Sequence, residues 1–145
     1  MPDPLDSSAP VEIAKTDSGL SPNVAAGIAC IFSLIGGIIF LLLEKKNAFV
    51  RFWAMQSLLL GVAAFGAAVL FPIAHFILAH LPLIGGLMAF LLWLLYLFFE
   101  IVWVVVYLMT IIKAFSGREW ELPWLGRLAR QQLAKLDAKQ LPPEI

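Results

Sequence analysis

The sequence predicts an all-α integral membrane protein. The expected form is a three-helix bundle, N-out/C-in, with a short amphipathic C-terminal helix. Three observations carry this. Of the 145 residues, 61% are apolar and only 14% are charged, against roughly 45–50% and about 25% in an ordinary soluble domain. The apolar residues fall into runs of membrane length, and the Lys and Arg residues gather beside those runs. A mean hydropathy of +0.91 agrees. A disordered chain, a disulfide scaffold and a nucleic-acid binder built on a basic face are excluded, because Cys30 is the single cysteine and the formal charges balance.

Residues 1–23 are rich in Pro, Ser and Asp and have no cationic stretch ahead of an apolar core. They predict a flexible tail and not a signal peptide. Ser21-Pro22-Asn23 then marks a helix start, with proline in the first turn where its missing N–H costs nothing. Twenty uncharged residues follow, 24–43, ended by Glu44-Lys45-Lys46. That is the length of one span, since a helix needs about 20 residues to cross a ~30 Å hydrocarbon core.

From Phe52 to Ile112 the chain has 61 residues and a single acidic one, Glu100. Two spans and a hairpin fit this length. Pro72, Pro82, Gly85 and Gly86 place the second span at about 52–71 and the third at about 87–112, within a transmembrane domain of 24–116. The piece between, 72–86, is expected along the interface or dipping into it, unless Pro72 kinks a longer second helix.

Charge placement tests the count. The N-terminal tail has Lys15 beside four acids, the first loop has Lys45, Lys46 and Arg51, and the second loop has no Lys or Arg. The C-terminal tail, 117–145 with Lys113 just before it, has the remaining six. Positive-inside bias puts the first loop and the C-terminal tail on the cytoplasmic side of an inner membrane. Two spans between them and one before give the N-out/C-in orientation of a multi-pass protein.

Gly117 suits a helix stop, and Trp120 and Trp124 suit the headgroup level. A helix over about 124–136 then brings Leu125, Leu128, Ala129, Leu133 and Leu136 to one face and Arg127 and Arg130 to the other. This is the pattern of a helix lying on anionic lipid.

No nucleophile, metal or phosphate signature with useful spacing is present. There is no Gly-rich phosphate loop, Cys pair or Ser-centred elbow. His75 and His80 diverge by about 140° on a helix and cannot share a metal as an i, i+4 pair would. Cys30 is expected to pack. No cofactor is implied, and the chain is not expected to be an enzyme.

Glu100 is the informative polar residue. An acid at the bilayer centre costs about 2.5–3.5 kcal/mol on insertion scales, so it should be protonated or hydrogen-bonded and should face protein or water instead of lipid. Trp93, Tyr96, Glu100, Trp103, Tyr107 and Thr110 follow a 3, 4, 3, 4, 3 spacing and share an arc of about 100°. They form a candidate intramembrane polar face. Ala25, Ala29, Ser33 and Gly37 recur every four residues in the first span, and Gly61, Ala64 and Ala68 give the second a similar small face. With spans one and three in the same direction, Ser33 and Glu100 fall at similar depth, and a Ser33–Glu100 hydrogen bond is expected.

Three stretches carry a resemblance: Ser18 to Ala26, Arg51-Phe52-Trp53-Ala54-Met55-Gln56-Ser57, and Lys113-Ala114-Phe115 through Gly117 to Leu122-Pro123. Together they resemble a large, mostly uncharacterised family of small bacterial membrane proteins related to the Tic-twenty subunit of the chloroplast protein translocon. Arg51, Phe52 and Gln56 match the family-like interfacial motif, in which Trp53 stands where histidine is usual. The resemblance implies a small multi-pass protein and brings no catalytic residues. The expectation is a non-enzymatic scaffold or subunit of a membrane assembly, whose partners are the lipid bilayer and other membrane proteins or itself, with no nucleic acid. The alternative is a channel or transporter component using the face around Glu100.

Overall fold

The structure, a computed structural model, describes residues 16–118 and 120–140. All regular structure among them is helical: α1 (Pro22–Ile31), α2 (Ser33–Leu43), α3 (Ala48–Ala79), α4 (Gly85–Phe115) and α5 (Leu125–Gln140). The all-α class stands as expected, with five helices of which two are long and apolar enough to cross a membrane.

The first apolar run departs from its expected form as one span of a three-helix bundle. It is two short helices of 10 and 11 residues, about 15 and 16 Å long, roughly half the thickness of a bilayer core. They meet at Ser33, whose φ of 45° is left-handed. The chain reverses there, because Glu44 at the end of α2 accepts hydrogen bonds from the amides of Asp17 and Ser18, just ahead of α1. A straight 24–43 helix would hold its two ends about 30 Å apart.

Two adjacent glycines allow the reversal. A Cβ on Gly36 would lie 2.7 Å from the Ala29 carbonyl oxygen of α1, and one on Gly37 would lie 2.7 Å from the Ala54 carbonyl oxygen of α3. Each glycine lets a different backbone approach. Gly61 of α3 closes the third contact, against the Leu34 amide nitrogen at 2.8 Å. Of the predicted small faces, Ala25, Ala29, Gly37 and Gly61 are buried where helices meet, whereas Ala68 is exposed.

Asn47 caps α3 by accepting from the Phe49 and Val50 amides. The helix then runs through Pro72 without a break to Ala79, so 72–79 extends α3 and is not an interfacial segment. Only 80–84 turn. Gly85 permits this turn, since a Cβ there would sit 2.7 Å from the Leu78 carbonyl oxygen. α4 returns antiparallel, with Tyr96 and Phe99 beside Phe71. It stops in a Schellman motif at Gly117 (φ 68°), where the amides of Gly117 and Arg118 reach the carbonyls of Ala114 and Lys113.

One end of the α3–α4 pair therefore gathers the start of α1, the end of α2, the start of α3, the end of α4 and α5. Residues 16–20, 44–47, 116–118 and 120–124 all lie there. With residues 16–20 at this end, the arrangement does not support the expected N-out/C-in orientation; residues 1–15 of the expected flexible tail lie outside the described residues. The core sits in this near half, around Ala25, Ala29, Cys30, Trp53, Ala54 and Leu60. Beyond Gly61, α3 has no buried residue, and before Thr110, α4 has only Gly85 and Ala89.

Gly37→Ala should lower stability by about 1–3 kcal/mol, because its methyl meets backbone that cannot yield. Gly66→Ala, in open space on the same helix pair, should leave stability unchanged or raise it by up to about 1 kcal/mol. Thermal unfolding of the two variants in one detergent checks the opposite signs.

Candidate functional site

The predicted polar face of α4 divides in two. Its near-end half serves the reversal of α1–α2. Ending a helix inside an apolar layer leaves carbonyls without partners, and such breaks persist only where protein satisfies them. The Tyr107 hydroxyl donates to the Ile31 carbonyl at 2.6 Å. The Ser57 hydroxyl lies 3.2 Å from the Ala29 carbonyl and 3.0 Å from that of Ala54 in its own helix. Ser33 donates to the Ser57 carbonyl at 3.3 Å, and buried Thr110 donates back to Val106.

Ser33 is therefore not the partner of Glu100. The reversal places Ser33 beside Gly61, at the level of Tyr107. Glu100 stands seven residues earlier in α4 than Tyr107, about 10 Å nearer the outer end. Its polar neighbour is Tyr96, one turn away. The outer half of the face is aromatic: Phe71 and Tyr96 have ring centroids 4.7 Å apart, and Phe99 stacks on Trp103 at 5.7 Å. Between α3 and α4 lies a groove of about 190 Å³, lined by Phe71, Pro72, His75, Leu92, Trp93 and Tyr96.

The motif residues Arg51, Phe52 and Gln56 do not join this face. They fasten the C-terminal segment to α3. Arg51 pairs with Asp137 of α5 at 2.6 Å. Phe52 is buried against Ala129 and Leu133, with the Arg130 guanidinium 4.8 Å above its ring. Gln56 is fully buried; its amide donates to the Trp120 carbonyl at 3.4 Å, and its oxygen accepts from the Leu122 amide at 3.5 Å. The apolar face predicted for 124–136 is thus partly covered by protein, while Leu128 and Leu136 stay exposed.

Trp53, between these residues, is fully buried and packs edge-on against Phe49 and Phe52. Its indole nitrogen has no hydrogen-bond partner among the described residues. His80 is held by the Phe76 carbonyl at 2.7 Å, at the turn and apart from His75. Among the described residues no three His, Cys, Asp or Glu side chains gather as a metal ion would require.

Glu44 is the functional-looking residue that sequence reasoning missed. It reads as one end of a charged loop, yet its side chain is fully buried and accepts from the Ser18 hydroxyl at 2.6 Å besides the two amides. Asp17 answers from the other strand of the clamp, accepting from the Lys45 amide at 3.0 Å with Lys46 3.8 Å away. The Lys45 amide chiefly, and then the Lys46 charge, hold the Asp17 carboxyl below its ordinary range despite some desolvation.

These features define a small, all-helical membrane protein in which a clamped, reversing helix pair is packed against a long apolar hairpin. The chain belongs to the magnetosome magnetite crystal formation protein family, MamF/MmsF, whose model matches residues 20–129. It is 33% identical over 125 residues to a UPF0132 membrane protein of Methanocaldococcus jannaschii, covering 82% of this chain and 94% of that protein. A UPF0132 membrane protein of Archaeoglobus fulgidus is 32% identical over 121 residues, covering 79% and 97%. No solved structure matches. Of the resemblance expected from the sequence, these relatives support the uncharacterised membrane-protein family.

Asp17 supplies the prediction here. A carboxyl lowered on folding stabilises the fold above its unfolded pKa, and that contribution is lost as pH falls through the folded value. Asp17→Asn should therefore unfold at lower temperature than the parent at about pH 6, and the gap should narrow as pH falls below the ordinary aspartate value of 3.8. Thermal melts across this range check it.

Proposed function

We propose that this chain is a non-enzymatic, multi-pass protein of the cell (inner) membrane that acts through helix–helix association, as a scaffold or subunit of a larger membrane assembly. In this reading α3 and α4 cross the bilayer, and α1–α2 enters and leaves on one side as a re-entrant pair. Lys45, Lys46, Arg51, Lys113 and the basic residues of α5 all sit at the near end, while the 80–84 turn has no Lys or Arg. Positive-inside bias then favours a cytoplasmic near end. The N-terminal tail, expected outside from the sequence, becomes cytoplasmic together with the C-terminal one.

The observation that carries the scaffold reading is the bare outer half of α3–α4. Phe65, Leu70, Phe76 and Phe98 are each about two-thirds exposed, and no other described helix reaches that height. This surface is suited to lipid and to helices of another protein or another copy. The family's description names magnetite crystal formation. The corresponding reading for this chain is a membrane-embedded organiser of an assembly, with no side chain assigned to mineral.

Topology is tested with single cysteines on a Cys30→Ala background in intact cells. Cysteines at Ser8, Lys46 and Lys135 should all resist an impermeant thiol reagent, and one at Leu83 should react. A reactive Ser8 position with a protected Lys46 would restore N-out/C-in.

Association is tested by photo-crosslinking from position 65 or 98 in native membranes. A discrete protein adduct at either position is expected. Uniform lipid adducts, together with a folded but transport-deficient Glu100→Gln variant, would replace the scaffold reading by the channel or transporter reading.

A further inference from the structure

The face of α5 that stays open differs from the one its periodicity suggests. Ala129 and Leu133 turn toward Phe52, and the ion pairs of the helix lie on one flank, Arg130 with Glu121 and Asp137 with Arg51. At about 100° per residue, Leu128, Gln132, Lys135, Leu136 and Lys139 share the opposite flank, within an arc of about 100°. All five are exposed. Just ahead of them Trp124 is 81% exposed. The open flank thus combines two leucines and an indole with two lysines.

The helix also lies across α3 and not along it. Its lead-in touches Gln56, through the Trp120 carbonyl and the Leu122 amide, and its far end touches Arg51. Those two positions are five residues apart on α3, about 7.5 Å, whereas Leu125 to Asp137 of α5 extends about 18 Å. With α3 crossing the bilayer, α5 runs close to the membrane plane, at the level where Arg51 gives way to the apolar run that starts at Phe52.

We propose that this flank of α5 is a docking surface for anionic phospholipid headgroups of the bilayer that the chain spans. Lys135 and Lys139 face the phosphates, and Trp124, Leu128 and Leu136 sit in the interfacial layer. The proposal rests on the reading in which α3 and α4 cross the membrane. Charge complementarity selects the partner. A zwitterionic lipid meets the leucines and the indole equally well, but a net negative headgroup adds about fivefold for each lysine close to the surface. Lysine suits the place, because its stem packs along apolar atoms while its ammonium reaches the headgroups. Arg51, Phe52 and Gln56 already fasten α5 to α3, so the helix is not needed as an anchor. Its open flank instead gathers anionic lipid around the near end.

The test uses the full chain in phosphatidylcholine vesicles carrying a small, equal fraction of nitroxide-labelled phosphatidylglycerol or nitroxide-labelled phosphatidylcholine, with the nitroxide near the headgroup. A fluorophore sits on Gln132→Cys, or on Ile77→Cys near the outer end, in a Cys30→Ala background, and its quenching reports the adjacent lipid. At 132, phosphatidylglycerol should be favoured about fivefold or more. At 77, which is exposed and far from any Lys or Arg, the two lipids should quench alike. Lys135→Gln together with Lys139→Gln should bring the preference at 132 close to one, and about 0.5 M salt should reduce it without any substitution in the flank. Should the double variant fail to fold by circular dichroism, the salt dependence decides. Equal quenching by the two lipids at 132 would reduce the flank to an apolar contact and overturn the proposal. So would a preference that survives high salt or a folded double variant. Quenching at 77 with none at 132 would mean that water or another protein surface covers the flank, and would overturn it as well. Absence of quenching at 77 would overturn the crossing reading itself, and this proposal with it.

Discussion

A backbone that turns round inside an apolar layer must find partners for the carbonyls it strands, and most of the near half of this protein follows from that constraint. α1 ends at Ile31 and α2 begins at Ser33, so helical hydrogen bonding lapses between two flanks that carry no charge. The remedy comes from outside the broken segment: Tyr107 from α4 and Ser57 from α3 reach the exposed carbonyls. Both must come close, which requires small residues at the crossings. Gly36, Gly37 and Gly61 provide this, each with backbone or Cβ atoms inside 3 Å of where its own Cβ would stand.

The same reversal explains the clamp. Once α2 returns, its last residue meets the segment ahead of α1, and Glu44 can satisfy two backbone amides and a hydroxyl there. A buried carboxylate is tolerable only with such a shell of donors. Arg51, Phe52 and Gln56 extend this order to the C-terminal segment, through an ion pair, an apolar seat and a two-way amide bond. A motif contiguous in sequence thus touches three separate points of 120–137 because it occupies just over one turn of α3.

Hydropathy made the membrane class, the two long helices and the amphipathic tail legible, because these depend on summed apolar content and on periodicity. The reversal at Ser33 was not legible that way. Residues 24–43 have the length and composition of a complete span, and a hydropathy count carries no information about direction. The signal that existed was the Gly36-Gly37 pair, where two neighbouring glycines point about 100° apart and so admit two different helices. Reading Gly37 only as part of an i, i+4 stripe concealed this. The Ser33–Glu100 contact failed for the same reason, since its depth argument assumed a straight first span. At Pro72 the error ran the other way: proline was read as a boundary, although a membrane helix can absorb it. Tyr107 and Tyr96, alike on a helical wheel, differ in role because the reversing pair reaches only the first of them.

Glu44 and Glu100 show how unevenly the two halves of the molecule are completed. Glu44, at the near end, is fully buried, has three donors on its carboxylate, and is followed by two lysines that answer the charge of Asp17. Every feature of its surroundings serves the fold. Glu100 has Tyr96 as its polar neighbour, and no Lys or Arg lies between Phe52 and Ile112. An acid retained at mid-helix costs about as much as several leucines contribute to insertion. The reversal of α1–α2 needs nothing from it, because Tyr107 and Ser57 already close that break. Glu100 therefore stands on the half of α3–α4 that the other described helices leave uncovered, apart from the contacts that close the reversal.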